Sequence, residues 1–154
     1  MIVPQSPQLE TPHPIAVTPL RNLSQTPLAG EKAEQTLMTL LLERKVITQS
    51  PPNRPGQSLA ALLDTDTADK QIRAWLNQNN FDYVLSGAVN EWGYSKGIAG
   101  DPSVSITLWI APAHNPDQML WRATGSRIGF GYKNIAALAQ DVLAELLEGI
   151  NIAQ

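Results

Sequence analysis

Two histidines and a scatter of carboxylates are the groups in this 154-residue sequence best suited to proton transfer or metal ligation. His13 lies in a proline-rich opening segment and His114 in a turn pattern, and neither has a His or Cys neighbour to complete a metal shell. No cysteine occurs, which removes disulfides, thiol nucleophiles and thiolate ligands together. The sequence has no nucleophile elbow, phosphate loop or dinucleotide fingerprint; Gly125, Gly129 and Gly131 have the wrong spacing and open no crossover helix. Asp64, Asp66 and Asp69 invite a calcium or sugar-chemistry reading, but acids gathered at the positive end of a helix explain them more simply. Glu91 and Asp101 bracket WGYSKGIAGDP, the loop between two predicted strands. There they could face a partner, or Asp101 could start a turn ahead of Pro102 while Glu91 is a solvated strand residue. No acid/base pair is supported by its surroundings, so the expectation is no enzyme, no cofactor and no metal.

Aromatic placement points outward instead. In RIGFGYKN, Phe130 stands between Gly129 and Gly131, residues that bend freely and cannot pack over a ring. Either the ring folds back over the edge of the core or it is offered to something outside the subunit. Trp75 and Trp121 fit apolar faces. Trp92 and Trp109 fall beside polar strand positions, as exposed aromatics at a subunit interface would. Arg122 joins them in this set, although Trp109 lying over Arg122 on a solvent-facing sheet fits equally well.

Periodicity supplies the scaffold. Pro4, Pro7, Pro12 and Pro14 make residues 1–14 an extended tether that cannot build a core, and 15–154 a single domain. IAV at 15–17 suits a strand, and residues 31–44 repeat apolar side chains at helical spacing. A brief strand at 46–48, a short helix at 58–63 and a helix from 67, capped by Asp66 or Thr67 and burying Ile72, Trp75 and Leu76, come next. The period then changes to two through 81–94, 102–111 and 119–132, with Val104, Ile106, Leu108 and Ile110 on one face. Ile135 to Ile150 form a closing amphipathic helix capped by Asn134. The predicted order β-α-β-α-α-β-β-β-α gives an α+β fold, a mixed sheet with a C-terminal three-stranded antiparallel meander covered by helices.

A formal net charge of −3 and the lack of a basic stripe argue against nucleic acid and leave a cationic partner open. No run is long enough to span a bilayer, and the first residues lack the pattern of a signal peptide.

The segments NLSQTPLAGEKAEQTLMTLL, DYVLSGAVNEWGYSKGIAGDPSVSITLWI and MLWRATGSRIGFGYKN, with the closing helix, resemble the PelC family of outer-membrane lipoproteins in Pel exopolysaccharide export. The resemblance runs from Ile15 to Leu147 and is most specific in T-P-x-A-G, S-G-x-V-x-E-W and D-P-S-V. More distantly, the order of elements is similar to LpoB-like and CsgG-like lipoproteins and the N-terminal domain of TolB. The PelC resemblance implies a non-enzymatic periplasmic protein, lipid-anchored at the inner leaflet of the outer membrane. It also implies a homo-oligomeric ring, a dodecamer, beneath the export porin PelB, through which a cationic amino-sugar polysaccharide passes. Carried onto this sequence, the membrane-facing aromatic matches Phe130, where tryptophan is more usual, and the acidic pore lining matches Asp101, with Glu91 as second candidate. Twelve subunits at −3 each would carry on the order of −36 charges, enough to gather a polycation. The lipidated cysteine is implied to precede Met1, with the proline arm as its spacer. The alternative from another class is an LpoB-like lipoprotein that activates a peptidoglycan synthase.

Overall fold

The computed structural model describes residues 3–51, 65–94, 100–129 and 134–154. Its elements run β1 (Gln8–Glu10), β2 (Ile15–Val17), β3 (Arg21–Asn22), α1 (Ala29–Glu43), β4 (Thr48–Gln49) and α2 (Thr65–Gln78). They continue with β5 (Tyr83–Tyr94), β6 (Pro102–Pro112), β7 (Trp121–Ile128), α3 (Ile135–Leu147) and β8 (Asn151–Ala153). The main sheet is ordered β4-β2-β5-β6-β7, and β3 adds to β5 beyond the end of β2. Strands β2, β3 and β4 pair in parallel, whereas β5, β6 and β7 form the antiparallel meander expected from their alternation. This is the α+β domain with a mixed sheet that the sequence predicts.

Side-chain alternation assigns the two faces. Leu85, Val89, Val104, Ile106, Leu108 and Ile110 point to one side and merge with the buried stripes of α1 and α3 in the main core. Helix α3 contributes Leu138, Ala139, Val142, Leu143, Leu146 and Leu147. Its start is fixed by Asn134, whose side chain accepts a 2.8 Å hydrogen bond from the Ala137 N–H. On the opposite face, Val84 and Ala111 pair across the strands and join a smaller cluster with Leu76 and Phe81, backed by Ile72 and Trp75 of α2. Helix α2 therefore covers only one end of that face. Asp66 and Thr67 already lie within α2, so neither is its cap. The helix expected at 58–63 lies outside the described residues.

The largest correction concerns the proline arm. Leu9 is 3% exposed and belongs to the main core, and β1 pairs in parallel with β8, a strand absent from the predicted order. Ser6 N–H donates to the Gly149 carbonyl at 2.7 Å, and the Trp121 indole donates to the Pro4 carbonyl at 2.7 Å. Prolines do exclude a helix here, but alternate residues of an extended segment can still enter a core. From Val3 onward the arm is a strap on the domain rather than a spacer standing clear of it.

Candidate functional site

The far end of the meander brings the predicted acids onto one hairpin. Tyr94 and Pro102 form its last described pair, and Asp101, one residue ahead of β6, is half-buried next to Gly100 in a left-handed turn conformation at φ 59°. Glu91 pairs with Ser105, farther back along the hairpin, and is exposed. A register shift between Val89 and Glu91 makes Asn90 an extra residue, which places Asn90 and Glu91 together on the face away from α1 and α3. The same shift returns Trp92 to the core side opposite Val104, where it is 5% exposed. Trp92 is thus a core residue and not the exposed aromatic its polar neighbours suggested. Gly129 N–H donates to the Pro102 carbonyl at 2.9 Å, so the glycine before Phe130 is held beside the Asp101 turn. Phe130 itself lies outside the described residues.

Behind the hairpin tip, the open face of the meander is a ladder of small polar groups. Asn90 donates to Thr107 Oγ1 at 2.9 Å, Thr107 and Thr124 share a hydrogen bond at 2.7 Å, and Ser126 donates to Ser105 at 2.9 Å. These contacts satisfy Thr107, which is only 4% exposed. Where the ladder meets α2, an open cleft of about 400 Å³ is floored by Ser86, Trp109 and Arg122. The Arg122 guanidinium lies over the Trp109 ring, 5.9 Å from its centroid, so both fit the solvent-facing-sheet reading as well as an interface. The cleft walls carry two ion pairs, Arg21 with Asp69 at 3.5 Å and Arg73 with Asp117 at 2.8 Å.

One charged cluster escaped the sequence reading. The Asp82 carboxylate accepts the Thr11 hydroxyl and, at 2.9 Å, contacts His13 Nδ1, tying the strap to the start of β5. The Thr11 hydroxyl, followed by His13, holds the Asp82 carboxyl below its ordinary value of 3.8. Although Thr, His and Asp meet here, Thr and His both address the same carboxylate oxygen, and no base faces the hydroxyl. The cluster is a clamp. Its members are 69 and 71 positions apart, and no local pattern joins them. Among the described residues no three His, Asp or Glu converge as a metal site, and no helix is long and apolar enough to cross a membrane.

The motif residues prove to be packing devices. The Thr26 hydroxyl donates to the Trp92 carbonyl at the edge of β5. A Cβ on Gly30 would stand 2.7 Å from the Leu20 carbonyl oxygen, and one on Gly87 would stand 2.5 Å from that of Thr107.

No protein-family model matches the chain, and no match was found among curated proteins. Solved structures do match. A PelC dodecamer from Paraburkholderia phytofirmans is 27% identical, with a TM-score of 0.77 over 97% of this chain and 95% of that one. A methionine-substituted form of the same dodecamer is 27% identical, with a TM-score of 0.73 over 94% and 93%. Lipoprotein GNA1162 from Neisseria meningitidis shares the fold, at 20% identity and a TM-score of 0.61 over 89% and 96%.

Proposed function

We infer that this chain is a non-enzymatic subunit of a Pel-type exopolysaccharide export assembly, acting as a ring at the periplasmic face of the outer membrane. The observation that carries the reading is the near end-to-end match, at 27% identity, to a PelC dodecamer.

In this reading the hairpin tip faces the axis and Asp101 lines the opening. A half-buried carboxylate beside this turn, repeated around a ring, concentrates negative potential where a cationic amino-sugar polymer must pass. Glu91, set back along the hairpin, is not needed for it. Attraction of this kind is loose and screened by salt, which suits a polymer that has to leave again toward a porin such as PelB. Phe130, in the stretch that begins beside the Asp101 turn, is the proposed membrane contact. A lipid anchor of the kind lipoproteins carry would supplement it, because single apolar anchors bind weakly and repeated ones bind well.

The test has two parts. Mass measurement in solution should give an oligomer of about twelve copies, whereas an LpoB-like activator would stay monomeric. Asp101→Asn should assemble normally and bind a partly deacetylated amino-sugar oligomer more weakly at low salt. Equal binding by the variant and the unaltered protein would remove Asp101 from the guide role.

A further inference from the structure

The cleft between α2 and the open face of the meander carries charge of the sign opposite to that of the whole chain. Three arginines line it, Arg21 of β3, Arg73 of α2 and Arg122 of β7, against two carboxylates, Asp69 and Asp117. Three against two leaves one positive charge in excess, in a sequence whose formal net charge is −3. Arg21 and Arg73 are engaged by Asp69 at 3.5 Å and Asp117 at 2.8 Å. Arg122 differs. Among the described residues its guanidinium meets no carboxylate and has only the Trp109 ring, 5.9 Å from the centroid. Stacking on an aromatic plane orders the side chain without using its N–H donors.

The floor adds a second donor. The Thr18 and Ser86 hydroxyls both belong to the cleft and lie 2.5 Å apart, so one donates to the other. Two hydroxyls bring two protons and that bond uses one; the other has no acceptor among the described residues. Thr18 is only 6% exposed, so the spare proton is matched by whatever fills the cleft. Ser86 pairs with Trp109 and Trp109 with Arg122, which sets the hydroxyl pair, the ring and the guanidinium in one cross-strand row. Apolar groups stand beside this row: Ile72 and Leu76 on the α2 wall, and Met119, 47% exposed, ahead of β7. A volume of about 400 Å³ with a few convergent donors beside an apolar wall is the make-up of a small-ligand site.

We propose that this cleft binds a carboxylate carried on a small apolar body, either a free organic acid or the C-terminal end of a peptide. Over Trp109 the carboxylate meets the Arg122 fork from one side and the spare hydroxyl proton from the other, and the apolar body lies against Ile72, Leu76 and Met119. The planar fork can address both carboxylate oxygens at once, which a point charge cannot. The same excess of positive charge disfavours a cationic polymer. The cleft is therefore a separate site from the Asp101 opening, and nothing in it depends on the number of subunits.

A matched acid and amide test it. N-acetyl-leucine and the neutral N-acetyl-leucinamide are titrated against the full chain at low salt by ligand-observed NMR, with melting curves as a control on folding. The acid should bind at least about tenfold more tightly than the amide, and Arg122→Gln should weaken acid binding by about tenfold. Arg122→Lys, which keeps the charge without the fork, should fall between Arg122→Gln and the unaltered protein. Melting should change little, because the Arg122 side chain is exposed. An acetylated diglycyl-leucine peptide that binds more tightly than N-acetyl-leucine identifies a chain end as the ligand, and equal or weaker binding identifies a small acid. Acid and amide binding alike, inorganic phosphate binding as tightly as the acid, undiminished binding by Arg122→Gln, or no binding at millimolar acid would each overturn the proposal. All four results would leave the export reading untouched, since that reading is tested by the subunit count and by Asp101.

Discussion

Leu9→Ala measures whether the proline arm is part of the folded domain. Leu9 is 3% exposed and packs in the main core, while its strand neighbours Gln8 and Glu10 face solvent. Truncation removes three carbon groups at about 0.8 kcal/mol each, and the unfilled space raises the expected cost to about 2–4 kcal/mol. For a chain of this length each kcal/mol shifts the melting temperature by about 2–4 °C, so a fall of about 4–16 °C follows. The loss cannot exceed the free energy that holds the strap, because a weakly held strap would detach before the domain unfolded. Urea unfolding followed by tryptophan fluorescence gives the total, since Trp121 donates directly to the strap at Pro4. Hydrogen exchange at Thr11, whose N–H donates to the Ala153 carbonyl at 3.0 Å, reports detachment by itself. A stability change below about 0.5 kcal/mol with unchanged exchange at Thr11 would show that Leu9 contributes nothing and that the arm is a free spacer.

The Asp82 clamp gives the strap a dependence on acid. Because the folded carboxyl titrates below its ordinary value of 3.8, the folded state binds that proton less readily than the unfolded chain. Its contribution is complete above the unfolded value and fades as pH falls through the folded one. The side chain is 42% exposed, so the effect should not exceed about 1 kcal/mol. The protection factor at Thr11, measured exchange compared with the intrinsic rate at each pH, should fall on acidification in the unaltered protein and not in Asp82→Asn; an identical response in both would exclude the clamp as its cause. Gly87→Ala should cost about 1–3 kcal/mol by forcing β5 away from the Thr107 carbonyl, and a neutral result in urea unfolding would mean that the strands separate freely there. Phe130→Ser should reduce sedimentation with anionic liposomes and leave melting unchanged, whereas a fall of many degrees would place the ring in the core.

Periodicity was legible wherever a strand or helix buries one face. The alternation of Val104, Ile106, Leu108 and Ile110 and the stripe on α3 identify those elements because burial selects every second residue or every third and fourth. The strands β1, β3 and β8 are two or three residues long and depend on partners distant in the chain, so they leave no period to read. The site illustrates a different limit. Glu91, Asp101 and Arg122 were visible as unusual residues, but Trp92 was assigned to the wrong face because one extra residue, Asn90, reverses the alternation beyond it. A bulge has no composition signal of its own. It is nevertheless what turns Glu91 outward while Trp92 stays in the core, so the feature that defeated the pattern is also the one that builds the exposed acidic edge. The same residues paired without the bulge would turn Glu91 inward and Trp92 outward. For that reason the register shift at Asn90 decides which side chains this end of the hairpin offers to solvent.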